Sequence, residues 1–274
     1  MRHLELKRVR RLGPSTLGLV SQIPPWSHLN TCESVRDTLT SRNALLALRR
    51  RCIVWNNMHS LEVLILAGGH SSRMGSPKHL LSLPSGPLYA QLVRVLHEAV
   101  PNIRTMHVSI AARSDLDTSL RDGSVSLPPQ GTIPSTSITL KLVMDDAEQD
   151  IGPAAGLLAA HHHKPAATWL VLACDYPLIE PDAVRQLIES YETPATCFKN
   201  AEGFREPLLG IWSPAALRSL VENVASGRSG PAYTLKRLDS KLITPGQETW
   251  LTNVNTKQEW EEAKECMHHH SKNG

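Results

Sequence analysis

No Cys-x-x-Cys pair occurs among the five cysteines, Cys32, Cys52, Cys174, Cys197 and Cys266. Scattered in this way they indicate neither a zinc site nor a disulfide framework. Reduced thiols in an intracellular protein are the simplest reading. No apolar run approaches the roughly 20 residues that a membrane-spanning helix needs. The apolar h-region of a secretory signal is missing as well. Gly-Lys-Ser/Thr is absent, which excludes the P-loop. So is a helix-opening Gly-x-Gly-x-x-Gly, which excludes the dinucleotide fingerprint. Strong charge of one sign is also lacking, since the net charge is only +3. Residues 1–57 hold ten Lys/Arg against three Asp/Glu, and the rest hold nineteen against twenty-three. A basic nucleic-acid face on residues 58–274 is therefore not supported.

What is present divides unevenly. The chain has 274 residues, enough for one α/β domain with additional segments, and 41% hydrophobic residues suit a globular protein. Residues 1–57 show no sustained period and carry Arg8, Arg10, Arg11 and then Arg49-Arg50-Arg51. They read as a basic extension, either disordered, or a transit peptide, or sequence not native to the protein, since Met58 stands just before the first strand. A cytoplasmic location is expected, or a mitochondrial one if the extension is a transit peptide. Residues 58–266 carry all the periodic structure, and 267–274 read as a disordered tail.

From Leu61 strands and helices alternate. Strands are expected at Leu61–Ala67, Thr105–Ala111, Ile138–Met144 and Thr168–Ala173, then at Ala195–Phe198 and Pro207–Trp212. Helices are expected at Pro87–Val100, Pro153–His162, Pro181–Tyr191, Pro214–Ala225 and Thr256–Cys266. Ser114–Ser137 is rich in Ser, Pro and Gly and reads as a surface insertion. The pattern predicts an α/β fold with a doubly wound, mostly parallel sheet.

In such sheets ligands bind beyond the carboxyl ends of the strands. The first strand ends in Leu66-Ala67-Gly68-Gly69, followed by Arg73, Gly75 and Lys78. Glycines let backbone N–H groups converge on an anion, and two cations in the same loop suit a triphosphate. The third strand ends in Asp145-Asp146, the fourth in Cys174-Asp175-Tyr176-Pro177. An acid beside a phosphate loop is placed to hold Mg²⁺, which favours one or two carboxylates plus substrate phosphates. Each feature has a plainer alternative. Asp175 would serve as a helix N-cap ahead of Pro181, Asp145 as part of a solvated turn, and Asn253 and Asn255 as an Asx-type start ahead of Thr256. Cys174 reads as a buried thiol. His161-His162-His163 suit the negative end of a helix rather than a metal. Arg205 is either a phosphate- or ring-binding cation or a plain surface residue.

Residues 61–262 resemble the MobA-type molybdenum cofactor guanylyltransferases. The likeness rests on motifs in order. Leu66-Ala67-Gly68-Gly69-x-Ser71-x-Arg73-Met74-Gly75-x-x-Lys78 matches the nucleotide loop. Asp145 with Gly152-Pro153-x-x-Gly156, then Cys174-Asp175-x-Pro177, then Asn253-Val254-Asn255-Thr256 follow in the family's sequence. There are three departures. Pro77 stands where the guanylyltransferases usually carry Asp. Ser109-Ile110-Ala111-Ala112-Arg113 lacks the Asn the family often offers near the base. Ser114–Ser137 is longer than in a compact domain.

The resemblance implies a Rossmann-like nucleotidyltransferase domain. It implies transfer of GMP from GTP to molybdopterin, or another phosphorylated small acceptor, with Mg²⁺ as cofactor and release of pyrophosphate. Arg73, Lys78 and Asp175 would be catalytic, with Asp175 the metal ligand. Leu66, Ala67, Gly68, Gly69, Arg73, Lys78, Asp145 and Gly152 would bind the nucleotide. Asn253, Asn255 and Arg205 would face the substrate or the metal. A molybdoenzyme or cofactor-pathway protein is the expected macromolecular partner, with no nucleic acid and no membrane. Ala67-Gly68-Gly69 favours GTP. The alternatives are a nucleotidyltransferase with CTP as donor or with a sugar or polyol phosphate as acceptor, and a nucleotide-binding regulator without turnover.

Overall fold

Six consecutive buried residues, Thr168 to Ala173, need cover on both faces and a pairing strand along both edges. Unpaired backbone groups in an interior are costly. The computed structural model, which describes residues 60–68, 77–111, 123–127, 136–145 and 151–273, provides both. In chain order the elements are β1 (Leu61–Leu66), β2 (Ser82–Leu83), β3 (Gly86–Pro87), α1 (Leu88–Ala99), β4 (Thr105–Ala111), β5 (Ser124–Leu127), β6 (Thr136–Asp145), α2 (Ala154–His163), β7 (Thr168–Ala173), α3 (Pro181–Ser190), β8 (Ala195–Lys199), β9 (Arg205–Trp212), α4 (Pro214–Ala225), α5 (Pro231–Arg237), β10 (Lys241–Ile243) and α6 (Lys257–Asn273). Gly69, Arg73 and Gly75, with Arg113, Asp146 and the basic segment 1–57, lie outside the described residues.

The main sheet has the order β10-β8-β9-β7-β1-β4-β6-β5. β7 pairs parallel with β1, β1 with β4, β4 with β6, and β8 with β10. β9 runs antiparallel between β7 and β8, and β5 is antiparallel to β6 at the edge. The doubly wound, mostly parallel sheet is thus present. Its carboxyl edge gathers the exits of β1, β4, β6, β7 and β8. The core is continuous across it, with Leu64, Ile65, Met106, Ile110, Trp169 and Trp212 fully buried.

Local chemistry explains the boundaries. α3, α4 and α5 each carry Pro in the first turn, where a missing N–H costs no helical bond. Ser213 caps α4 by accepting from the Ala216 N–H at 3.2 Å. α2 lies unusually close to the sheet at Gly156. A Cβ there would stand 2.5 Å from Ser109 Oγ and 2.6 Å from Leu66 Cδ2. The glycine is therefore a packing requirement that seats α2 against the ends of β1 and β4.

Three regions differ from the sequence expectation. Part of the Ser114–Ser137 insertion is the edge strand β5, and β6 begins at Thr136. Four residues of Ser-Val-Ser-Leu are too few for a periodic signal, and pairing with β6 supplies the order. α5 and the three-residue β10 are unanticipated for the same reason. α6 continues through Asn273 rather than ending at Cys266, so the expected tail 267–274 is helical in backbone over nearly all its length. Met267 packs on a second apolar cluster made by Leu81, Leu88, Val254, Trp260 and Ala263, which holds the helix to the domain.

Replacing Gly156 by alanine forces the new methyl into Ser109 and Leu66. Overpacking of this kind costs about 1–3 kcal/mol. At roughly 2–4 °C per kcal/mol for a domain of this size, Gly156→Ala is expected to lower the melting temperature by several degrees. An unchanged thermal transition measured by circular dichroism would show that α2 relaxes away from the sheet freely.

Candidate functional site

At the carboxyl edge, four side chains from three distant segments close a ring. Lys78 Nζ donates to Asn255 Oδ1 at 2.8 Å. Asn255 Nδ2 donates to Asn253 Oδ1 at 2.8 Å. Asn253 Nδ2 donates to Asp175 Oδ2 at 3.1 Å. Asp175 Oδ2 lies 3.8 Å from Lys78 Nζ, completing the circuit. A lysine only donates and a carboxylate only accepts, so both amides are oriented without ambiguity.

The second apolar cluster builds this ring. Lys78 opens a short 3₁₀ turn, Lys78–Leu80, and Leu81 then enters the cluster. Val254 is buried there, 2% exposed, so Asn253 and Asn255 on either side of it point out towards the edge. The Val254 N–H donates to the Asp175 carbonyl at 2.9 Å, tying the segment to the exit of β7. α6 is capped by Thr256 and Glu259. Thr256 Oγ1 accepts from the Glu259 N–H at 3.2 Å, and Glu259 Oε2 accepts from the N–H groups of Asn255 at 2.6 Å and Thr256 at 2.9 Å. These bonds hold the Glu259 carboxyl below its usual range.

The plainer alternatives fail for two motifs. Glu180, not Asp175, stands at the N-cap of α3, and its carboxylate instead accepts from Trp250 Nε1 at 3.0 Å. The helix-start role belongs to Thr256 and Glu259, which leaves the Asn253 and Asn255 amides in the ring. The Thr256-x-x-Glu259 spacing is a readable capping box that the sequence reasoning passed over.

Asp175 is the electrostatic centre. Burial raises its carboxyl above the ordinary value, while Lys78 and the Asn253 hydrogen bond act in the opposite sense. Its Oδ1 is buried without a hydrogen-bond partner. A desolvated carboxylate oxygen without a hydrogen-bond partner is a hard donor, and it fits a divalent cation that completes its shell with phosphate oxygens. Cys174 is buried, and burial pushes its thiol well up, so it is not a nucleophile.

Other predicted residues fall around this centre. Leu66 and Ala67 are buried at the exit of β1, and Gly68 is exposed. The Ala67 N–H donates to the Ser109 carbonyl at 2.8 Å, and the Ala67 carbonyl accepts from His79 Nδ1 at 3.0 Å. The second bond joins Ala67 to His79. Gly152 has φ +59°, the left-handed turn that leads into α2. Asp145 ends β6, three strand spacings from β7, about 14 Å at the usual interstrand distance. It therefore lies on the loop side of the edge and not in the ring. Arg205 opens β9 opposite Lys199, outside the ring, with its Nε buried and without a hydrogen-bond partner. Among the described residues no group of three His, Cys, Asp or Glu side chains converges to hold a metal. His161–His163 form the last turn of α2.

Two residues had no role in the sequence reading. Tyr176 OH donates to Glu206 Oε2 at 2.7 Å, which brings β9 to the residue next to Asp175. Burial raises both the Tyr176 hydroxyl and the Glu206 carboxyl above their ordinary values. Tyr176 occupied the variable position of Cys-Asp-x-Pro, and nothing in the spacing signalled its partner.

Residues 63–241 match the MobA-like NTP transferase domain. A probable molybdenum cofactor guanylyltransferase of Bacillus cytotoxicus is 25% identical over 220 residues, covering 76% of this chain and 98% of that protein. A molybdenum cofactor biosynthesis bifunctional protein of Synechocystis is 27% identical over 236 residues. The match spans 84% of this chain but only 61% of that longer protein. Among solved structures, molybdopterin-guanine dinucleotide biosynthesis protein A from Archaeoglobus fulgidus superposes with a TM-score of 0.52 at 20% identity, covering 75% of this chain and 98% of its own. A nucleotidyl transferase from Methanothermobacter thermautotroptrophicus gives 0.58 at 16% identity, covering 76% of this chain and 97% of its own. At these identities the structural likeness establishes the fold.

The raised carboxyl has a consequence for stability. The folded state binds the Asp175 proton more tightly than the unfolded chain does, so this contribution is present at acid pH and is lost as pH rises through the folded value. Asp175→Asn removes that dependence. With a chelator present, the melting temperature of the variant relative to wild type is expected to climb as pH rises above the ordinary carboxylate range. A difference independent of pH would mean that the carboxylate is not desolvated.

Proposed function

The chain belongs to the MobA-like NTP transferase family, and on that premise we propose that it transfers GMP from GTP to molybdopterin with release of pyrophosphate. The observation that carries the reading is the closed ring of Lys78, Asn255, Asn253 and Asp175 at the carboxyl edge. It joins the nucleotide-loop cation, the acid at the exit of β7 and the C-terminal Asn-x-Asn segment in one place.

The attacking group is a phosphate oxygen that is already anionic, so the demand on the protein is alignment and charge neutralisation rather than proton abstraction. Asp175 would hold Mg²⁺ through its unbonded Oδ1, with the Asn253 and Asn255 amides beside it. When bound, the ion supplies positive charge to the α-phosphate oxygens. Lys78 would exchange Asn255 for the nucleotide and steady the charge that grows on the departing pyrophosphate, with Arg73 assisting from the loop. Asp145 and Gly152, on the β4 and β6 side, would contact the nucleoside. The preference for GTP rests on Ala67-Gly68-Gly69. A regulator without turnover has no need to keep a cation, a desolvated carboxylate and two oriented amides in one circuit.

Isothermal calorimetry with Mg²⁺ present is expected to give tighter binding of GTP than of CTP. Equal affinity, or a CTP preference, would move the assignment to a cytidylyltransferase with another phosphorylated acceptor.

Removing a group that stabilises transition-state charge typically costs about 10²–10³-fold in rate. Asp175→Asn and Lys78→Ala are each expected to lose pyrophosphate release of that order while remaining folded. Asp175→Asn should also lose its response to Mg²⁺, which Lys78→Ala retains. Near-normal turnover and Mg²⁺ dependence in Asp175→Asn would refute the metal-ligand assignment.

A further inference from the structure

β7 divides the carboxyl edge. On one side stand β1, β4 and β6, with the nucleotide loop, Gly152 and Asp145. On the other side stands the β8–β9 hairpin. Because β8 runs in the same sense as β7, its turn emerges at this same edge. That turn presents an aromatic ring. Phe204 is 65% exposed, while Phe198, the chain's other phenylalanine, is fully buried.

The ring is displayed by a turn closed by three hydrogen bonds. Asn200 Oδ1 accepts from the Phe204 N–H at 2.9 Å, the Asn200 N–H donates to the Phe204 carbonyl at 3.0 Å, and the Gly203 N–H donates to the Asn200 carbonyl at 2.9 Å. Gly203, at φ +86°, makes the turn. Tyr233, also exposed, has the Arg228 guanidinium over its face at 5.6 Å, whereas no ring or cation contacts Phe204 among the described residues.

A single exposed phenylalanine is ordinary on a protein surface. The residue two places on makes this one specific. Phe204 directly precedes β9 and Glu206 is its second residue, so the two stand about 7 Å apart along the extended chain. The Tyr176 hydroxyl fixes the Glu206 carboxylate at 2.7 Å, one residue from Asp175. An anchored carboxylate accepts paired N–H groups from the edge of a flat heterocycle, and a bare aromatic face stacks on its plane.

We propose that Phe204 and Glu206 form the seat for the ring of the acceptor, a planar heterocycle with adjacent N–H donors. The ring stacks on Phe204, its N–H groups donate to Glu206, and the acceptor's phosphate extends past Tyr176 to Asp175. This rests on the transfer reaction proposed above and adds the residues that select the acceptor. The seat is separated from the nucleotide by the width of β7, so donor and acceptor approach Asp175 from opposite sides, as in-line displacement requires.

The test uses the full chain as wild type, Phe204→Ala, Phe204→Trp and Glu206→Gln. Steady-state rates are measured with molybdopterin varied at saturating GTP, and with GTP varied at saturating molybdopterin. Separately, 6-hydroxymethylpterin, which lacks a phosphate, is titrated by its fluorescence without nucleotide. Loss of one stacking face is expected to raise the acceptor KM about tenfold in Phe204→Ala and to weaken pterin binding by the same factor. The KM for GTP and the circular dichroism spectrum should be unchanged, Phe204→Trp should bind like wild type, and Glu206→Gln should raise the acceptor KM. An unchanged acceptor KM in Phe204→Ala, or a rise in the KM for GTP instead, overturns the seat and leaves the transfer reaction standing. If wild type transfers nothing to molybdopterin, the reaction itself fails, and the pterin titration still decides the seat. Binding that Phe204→Ala loses upholds it, and no binding by wild type overturns it.

Discussion

The site depends on one backbone hydrogen bond, from the Val254 N–H to the Asp175 carbonyl, and on the burial of the Val254 side chain beneath it. Val254 alternates between two asparagines. With its side chain committed to the cluster of Leu81, Leu88, Trp260 and Ala263, the amides on either side have one direction left to point. The same cluster takes Leu81, three residues beyond Lys78. A small satellite core therefore sets the positions of Lys78, Asn253 and Asn255 relative to Asp175. The Thr256–Glu259 capping box fixes where α6 begins, and so where the pair of asparagines ends.

The charge arrangement follows from that packing. Asp175 is held where water is partly excluded, and neither Lys78 nor the Asn253 amide restores its ordinary affinity for protons. Such a carboxylate favours a cation more strongly than an exposed one does. Lys78 directs its positive charge to Asn255 and, at longer range, to Asp175. Anionic phosphates would compete for it directly, so filling the nucleotide loop and reorganising the ring are one event in the proposed reaction.

The sheet order gives the edge two sides. Parallel connections place the exits of β1, β4, β6 and β7 in one row, and the antiparallel β9 returns the chain so that the β8–β9 turn joins the same row. The Tyr176–Glu206 bond ties the arm of this turn to the residue beside Asp175. Gly156 contributes by letting α2 settle against Ser109 and Leu66.

Long buried strands and the longer Pro-started helices were legible in the chain because they carry their own signals. Thr105–Ala111 alternates apolar and polar residues, Thr168–Ala173 is a continuous apolar run, and Pro214–Ala225 begins on a proline after a capping serine. The glycine-rich loop, Asp175 and the Asn-Val-Asn segment were legible as types of residue at characteristic spacings, and they pointed to phosphate and metal chemistry. Short elements such as β5 and β10 were not, since three or four residues have no period and owe their form to the strand beside them. Nor was the ring visible. Lys78 and Asn255 are separated by 177 positions, Asp175 and Asn253 by 78, and Tyr176 and Glu206 by 30. Sequence alone determined which chemical groups are available and which stretches must be buried, because propensity and patterning act locally. Tertiary structure alone decided which groups meet, because hydrogen bonds and desolvation act over a few ångströms and only packing brings remote residues that close.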